Sequence, residues 1–122
     1  MKYVALIYMN PGAFEALPQS ERDGFMAEAD AYLKEFGETG ELLAAQGFAL
    51  ADPSTAKTVR VRDGLTNVTD GPFAEAKEQL AGFYVLDTEN IERAAEIVAH
   101  DPAARKWAAE VRAIMDESGP DA

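Results

Sequence analysis

Residues 2–9 read KYVALIYM. Strand alternation divides them into Tyr3, Ala5, Ile7 and Met9 on one side and Val4, Leu6 and Tyr8 on the other. Both sides are apolar, the pattern of an inner strand covered on both faces. Asn10-Pro11-Gly12 breaks it. GFYVLD, residues 82–87, repeats the two-sided pattern, so a sheet with two central strands is expected.

Outward from these strands the period changes. After Ser20 a helix is expected, with Ser20 as N-cap and Asp23 three residues on. Phe25, Met26, Ala29, Tyr32, Leu33, Phe36 and then Leu43 keep to one helical stripe, opposite Glu28, Lys34, Glu35, Glu38 and Glu41. Gly47 is the expected end of that segment, and FALA (48–51) a short strand before Asp52-Pro53. KTVRVRDG (57–64) alternates, with Val59 and Val61 expected to face inward, and Asp63-Gly64 signals a hairpin returning through LTNVTD (65–70). NIERAAEIVAH (90–100) is a second helix, capped by Asn90, burying Ile91, Ala94, Ala95 and Val98, and stopped by Asp101-Pro102. AEVRAIM (109–115) is a last strand and 116–122 a frayed tail.

The order β-α-β-hairpin-β-α-β makes an α+β chain, a ferredoxin-like split βαβ with an extra hairpin. Both helices would cover one face of the sheet. The other face is apolar too, so a second copy is its expected cover and a homodimer the expected state.

At 122 residues the chain fits one domain with a sizeable core. It contains no cysteine, which excludes disulfides, thiolate metal sites and thiol catalysis and fits a reducing cytoplasm. No apolar run reaches the ~18 residues of a membrane span, and MKYVALIYMNPG is too short for a signal peptide. The formal charge of −11 repels phosphate backbones and anionic lipid, so neither nucleic acid nor membrane is an expected partner.

Between the hairpin and the second inner strand lies DGPFAEAKEQLAG, residues 70–82. Asp70-Gly71 is a turn and Pro72 suits the first turn of a helix, so FAEAKEQLA (73–81) is expected to form a short helix ended by Gly82. Carboxylates held beside one another or beside apolar walls have shifted acidities and can move protons. Asp70, Glu75, Lys77 and Glu78 are therefore candidates to line a pocket next to the sheet; a charged surface connector is the plainer reading.

The stretch from Val59 to Pro102, with DGPFAEAKEQLAGFYVLD at its centre, resembles the signature region of the YCII-related, or DGPF-domain, proteins. The resemblance runs from KYVALIYM to EVRAI, nearly the whole chain. It implies a dimeric α/β barrel of ferredoxin-like subunits. It implies little about activity, since DGPF-domain proteins mostly have none assigned and many are encoded beside extracytoplasmic-function sigma factors. The wider group includes a dehydrochlorinase of aromatic breakdown, with a proposed acid–base pair: a histidine early in the first helix and an aspartate after the second. Asp101, in AHDP, falls where that aspartate is expected, but ERDGFMAEADAY (21–32) has no histidine. This departure argues against the dehydrochlorinase dyad here.

His100 is the sole histidine, next to Asp101 near a helix C-terminus. Such a residue is more often a surface cap; facing a groove, it could stand in for the missing partner. No phosphate loop, histidine-based metal spacing, nucleophile elbow or calcium-loop spacing is present, and no cofactor or metal is expected. Arg60 and Arg62 read as a solvent-facing strand edge before an anion site, and Tyr8, Phe83, Tyr84 and Trp107 as core before cavity lining.

Two functions follow. In the first, a cofactor-free lyase, isomerase or small-ligand binder acts by proton transfer in a groove beside the sheet. Asp101, His100 and Asp70 are its candidate catalytic residues, and Tyr8, Lys77, Glu78 and Glu75 its candidate substrate contacts. In the second, a non-catalytic homodimer binds another protein, a sigma factor by family association, through its acidic helix faces.

Overall fold

A computed structural model describes residues 1–74 and 76–115. The elements are β1 (Lys2–Met9), α1 (Gln19–Glu38), β2 (Leu42–Ala49), β3 (Lys57–Arg62), β4 (Leu65–Asp70), β5 (Gln79–Asp87), α2 (Ile91–Val98), α3 (Pro102–Lys106) and β6 (Ala108–Ala113). The main sheet is antiparallel, in the order β2-β5-β1-β6. The two inner strands are β1 and β5, as their two-sided pattern required. This is an α+β fold with the strand order of a ferredoxin-like split βαβ.

The helices pack on one face, where Tyr3, Ala5 and Ile7 of β1 and Tyr84 and Leu86 of β5 meet Tyr32 and Phe36 of α1, Ala94 and Ile97 of α2 and Ala103 of α3. Burying a side chain such as Leu86 or Ile97 contributes about 1.5–3 kcal/mol. The register puts Val4, Leu6, Tyr8, Phe83, Leu43 and Phe48 on the other face, and Phe48 is 65% exposed.

α2 starts as expected: Asn90 Oδ1 accepts the Arg93 N–H at 2.8 Å. α1 starts differently. Its preceding residue is Pro18, and Ser20 lies inside the helix, with no side-chain cap. α1 ends at Glu38, so Leu43 belongs to β2 and not to the helical stripe; β2 replaces the shorter FALA strand. The stripe continues in register past a chain reversal that periodicity alone does not reveal.

The hairpin forms with Asp63 and Gly64, both at positive φ (51° and 76°), as the two-residue turn between Arg62 and Leu65. Glycine meets no side-chain penalty there, and the turn matches the twist of the strands. The ribbon does not join the main sheet. Val59 and Val61, expected to face inward, are 60% and 55% exposed. Alternation identified a common face for them but not whether anything in the subunit covers it.

A helix is expected over 73–81, but among the described residues of that stretch none is helical. Asp70 closes β4, and the Gly71 N–H donates to Ala56 O at 2.8 Å, fixing the exit of the ribbon. The Gln79 side-chain amide donates to the carbonyls of Ala74 (2.9 Å) and Ala76 (3.1 Å), satisfying loop acceptors that a helix would have paired internally. β5 consequently begins at Gln79, ahead of the expected Gly82. Residues 116–122, expected to fray, lie outside the described residues.

An ion pair ties the start of β2 to α2. Arg93 donates from Nε and Nη2 to the two Glu41 oxygens, both at 3.0 Å, and Thr88 Oγ1 donates to Glu41 at 2.6 Å. These bonds, Arg93 first, lower the Glu41 carboxyl from 4.5 to about 2. The folded value lies below the unfolded one, so the stabilisation is complete above pH 4.5 and is lost as pH falls toward about 2. Glu41→Gln is expected to cost about 1 kcal/mol at pH 7, given the partial exposure of the pair, and much less near pH 2, vanishing as the pH falls through that value. Urea melts of both proteins at the two pH values check this.

Candidate functional site

On the helix-covered face, a cavity of about 270 Å³ lies between α1 and the β2–β5 edge. Ile7 and Met9 of β1, Phe25 and Leu33 of α1 and Tyr84 of β5 are in its wall. It exists because β2 is irregular. Leu43 pairs with Val85 and Phe48 with Phe83, so four residues of β2, Ala44 to Gly47, stand opposite Tyr84 alone. The surplus chain bulges away from β5, and Ala44 and Gly47 join the cavity wall. Their small size suits the bulge. A Cβ on Gly47 would lie 2.6 Å from Tyr84 Cβ and 2.7 Å from Phe83 O.

Behind this wall runs a buried polar chain. The Tyr32 and Tyr84 hydroxyls are 2.8 Å apart, and Tyr84 donates to Asp101 Oδ2 at 2.8 Å. Asp101 Oδ1 accepts the Ala103 N–H at 2.8 Å, so the same side chain caps α3. Asp101 is 7% exposed. A phenol has one proton to give. Because Tyr84 gives its own to Asp101, Tyr32 must be the donor between the tyrosines. The chain therefore points from Tyr32 through Tyr84 to the carboxylate. Burial pushes both phenols well above their ordinary range, and for Tyr84 the neighbouring Tyr32 and Asp101 push it further. Both remain neutral donors at any physiological pH.

The expected site residues are dispersed within one subunit. Asp101 lies in the buried chain, but His100 is exposed, its ring centroid 5.7 Å from that of Phe36. The two neighbours point apart because the Asp101 carboxylate turns inward to cap α3. Tyr8 lies on the opposite face of the sheet, where its hydroxyl donates to Glu110 at 3.4 Å. Odd and even positions of β1 serve different faces, so Tyr8 cannot share a groove with Asp101 in the same subunit. Asp70 is exposed at the ribbon base and paired with Lys57. Lys77 and Glu78 are exposed in the loop before β5, and Glu75 lies outside the described residues.

Tyr32 reads from the sequence as a core position, and Tyr84 as core with cavity lining as the second reading; their pairing does not. The available signal was chemical: a buried phenol needs a partner, and two of them on facing core positions can satisfy each other. Among the described residues, no group of three or more His, Cys, Asp or Glu side chains could hold a metal ion, and no helix is long and apolar enough to cross a membrane.

A family model for the YCII-related domain matches residues 1–118. An uncharacterised protein of Rhizobium meliloti (strain 1021) is 35% identical over 94 residues, covering 77% of this chain and 74% of that protein.

Proposed function

The chain belongs to the YCII-related domain family, and from that premise we propose that it is a homodimeric small-molecule protein acting by cofactor-free proton transfer, a lyase or isomerase. The observation that carries this reading is the buried Asp101, hydrogen-bonded through Tyr84 to the wall of an apolar cavity. An apolar cavity with few convergent polar groups is the usual form of a small-ligand site. A volume of about 270 Å³ suits a compact, largely apolar compound, such as a substituted aromatic ring.

In this reading Asp101 is the base and Tyr84 its conductor. A substrate C–H bond breaks and its proton goes to the Tyr84 oxygen, while the Tyr84 hydroxyl proton passes to Asp101 Oδ2. The electron pair left on the substrate either expels a leaving group, giving elimination, or is reprotonated at another carbon by the reverse path, giving isomerisation. Asp70, His100, Tyr8, Lys77 and Glu78 have no contact with this cavity inside one subunit. A role for them would require the second copy to bring its own surface to the cavity mouth.

The dimer reading is supported by the uncovered apolar sheet face of Val4, Leu6, Leu43, Phe48 and Phe83. A stable interface needs about 800 Å² per partner, which a four-stranded sheet face can supply. Sedimentation at micromolar concentration is expected to give a dimer; a stable folded monomer rejects it.

The ligand reading is tested by a thermal-shift screen of small aromatic and carboxylic compounds. A ligand at a hundredfold its Kd stabilises by about 2.7 kcal/mol, a rise of several degrees. Tyr84→Phe keeps the cavity wall and removes the conductor, so turnover of a hit is expected to fall by about 10²–10⁴ with the melting shift retained. A screen without hits rejects the ligand reading in favour of the non-catalytic dimer that binds another protein.

A further inference from the structure

The two tyrosines belong to two different hollows. Tyr84 is in the wall of the apolar cavity, whereas Tyr32 lines a second depression of about 210 Å³ together with Glu28, Glu35, Phe36 and His100. The hydroxyls of these two residues are 2.8 Å apart. The first hollow is walled mainly by apolar side chains, whereas the second also brings in Glu28, Glu35 and His100.

We infer that Tyr32 is a relay residue through which the Tyr84–Asp101 pair exchanges its proton with solvent, by way of the depression that holds His100. The use of this relay in turnover rests on the proton-transfer reading above; the route is a property of the resting protein.

The hydrogen-bond directions already found make the path continuous. A proton reaching the Tyr32 oxygen from water in the depression forms a new O–H bond there. The old Tyr32 proton moves to the Tyr84 oxygen, and the old Tyr84 proton moves to Asp101 Oδ2. Both hydroxyls end neutral, the carboxylate becomes a carboxyl, and one proton has crossed from solvent. Reversal of the three steps empties Asp101 again. A base that has taken a substrate proton inside an apolar cavity needs such an exit before its next cycle. Burial makes both phenols weaker acids, so both stay neutral hydroxyls and no standing phenolate interrupts the chain.

The groups facing the outer end are Glu28 and Glu35 from α1, His100 from the turn after α2, and Arg105 of α3, which pairs with Glu28. The inner end faces Tyr84 of β5 and Asp101, the cap of α3.

The hydroxyl protons can be followed directly. Protein with ¹³C at each tyrosine Cζ, moved into mixed H₂O and D₂O, gives separate carbon lines for O–H and O–D forms where exchange is slow. Tyr32 is expected to exchange faster than Tyr84. Tyr32→Phe, which keeps the ring, is expected to slow Tyr84 exchange by about tenfold or more, as exchange then requires a local opening. His100→Gln is expected to slow Tyr32 exchange several-fold. Tyr84 exchanging as fast as Tyr32 in the unmodified protein overturns the inference, as does a Tyr84 rate unchanged by Tyr32→Phe. If Tyr32→Phe does not fold, the order of rates in the unmodified protein decides. A ligand screen without hits would remove the proton-transfer reading and leave these rates as they are, so the two failures are distinct.

Discussion

Gly47→Ala is expected to destabilise the protein by about 3 kcal/mol, a fall in Tm of roughly 10 °C. The added methyl has no free direction. Its carbon would stand 2.6 Å from Tyr84 Cβ, 2.7 Å from Phe83 O and 2.8 Å from Tyr84 Cα. Two of these are backbone atoms of an inner strand, held on both sides by β1 and β2, so they cannot swing aside as a flexible side-chain tip would. The strain must instead go into β2, pushing the bulge outward and widening the cavity mouth. Ligand affinity is therefore expected to fall with stability. Gly24→Ala supplies the contrast. Gly24 lies exposed within α1, and an added Cβ there meets no atom within 4 Å. That variant is expected to gain about 0.5–1 kcal/mol from helix propensity. Urea melts of the two variants test whether close approach, and not glycine content as such, is what position 47 requires.

The contrast marks the boundary between what the chain declares locally and what only packing decides. KYVALIYM and GFYVLD announce inner strands because each covers two faces, a property of consecutive residues. Asn90 announces a helix start because its partner, the Arg93 N–H, is three residues away. Asp63-Gly64 announces a turn for the same reason. The bulge in β2 has no such mark, because Gly47 is required by Tyr84, which lies far along the chain. The helix expected at 73–81 is similar: among the described residues its propensity is outweighed by a ribbon exit tied to Ala56 and by the amide of Gln79. The candidate site divides along the same line. Asp101 was reachable as a site residue from the family resemblance, its place before Pro102 marking only the end of a helix. Tyr32 and Tyr84 come together from positions 52 residues apart, and periodicity could mark each as buried without pairing their hydroxyls. His100 beside Asp101 was a pairing of sequence neighbours, and a cap that turns one side chain inward sends the other out.

Asp101 carries the second large effect, and two substitutions separate its duties. Asp101→Ala removes both acceptors at once. The Ala103 N–H is then left buried without its partner, and the Tyr84 hydroxyl, still beside Tyr32, loses the acceptor of its own proton; the expected loss is about 2–4 kcal/mol, read from urea melts. Asp101→Asn is nearly isosteric and keeps an oxygen for Ala103. Its amide nitrogen, however, faces a hydroxyl that was donating. Tyr84 must turn and donate to Tyr32, whose own proton must then leave the pair, so the chain reverses direction. That rearrangement is expected to cost about 1 kcal/mol, because every member except the Tyr32 hydroxyl keeps a partner. Chemistry should not recover in the same way: an amide cannot take a proton from Tyr84, and turnover of any substrate found by screening is expected to fall by about 10²-fold or more. Equal stability losses in the two variants would deny the reversal. An Asn variant that turns over at the unmodified rate would remove Asp101 as the base, and the cavity would then need its proton acceptor from the second copy.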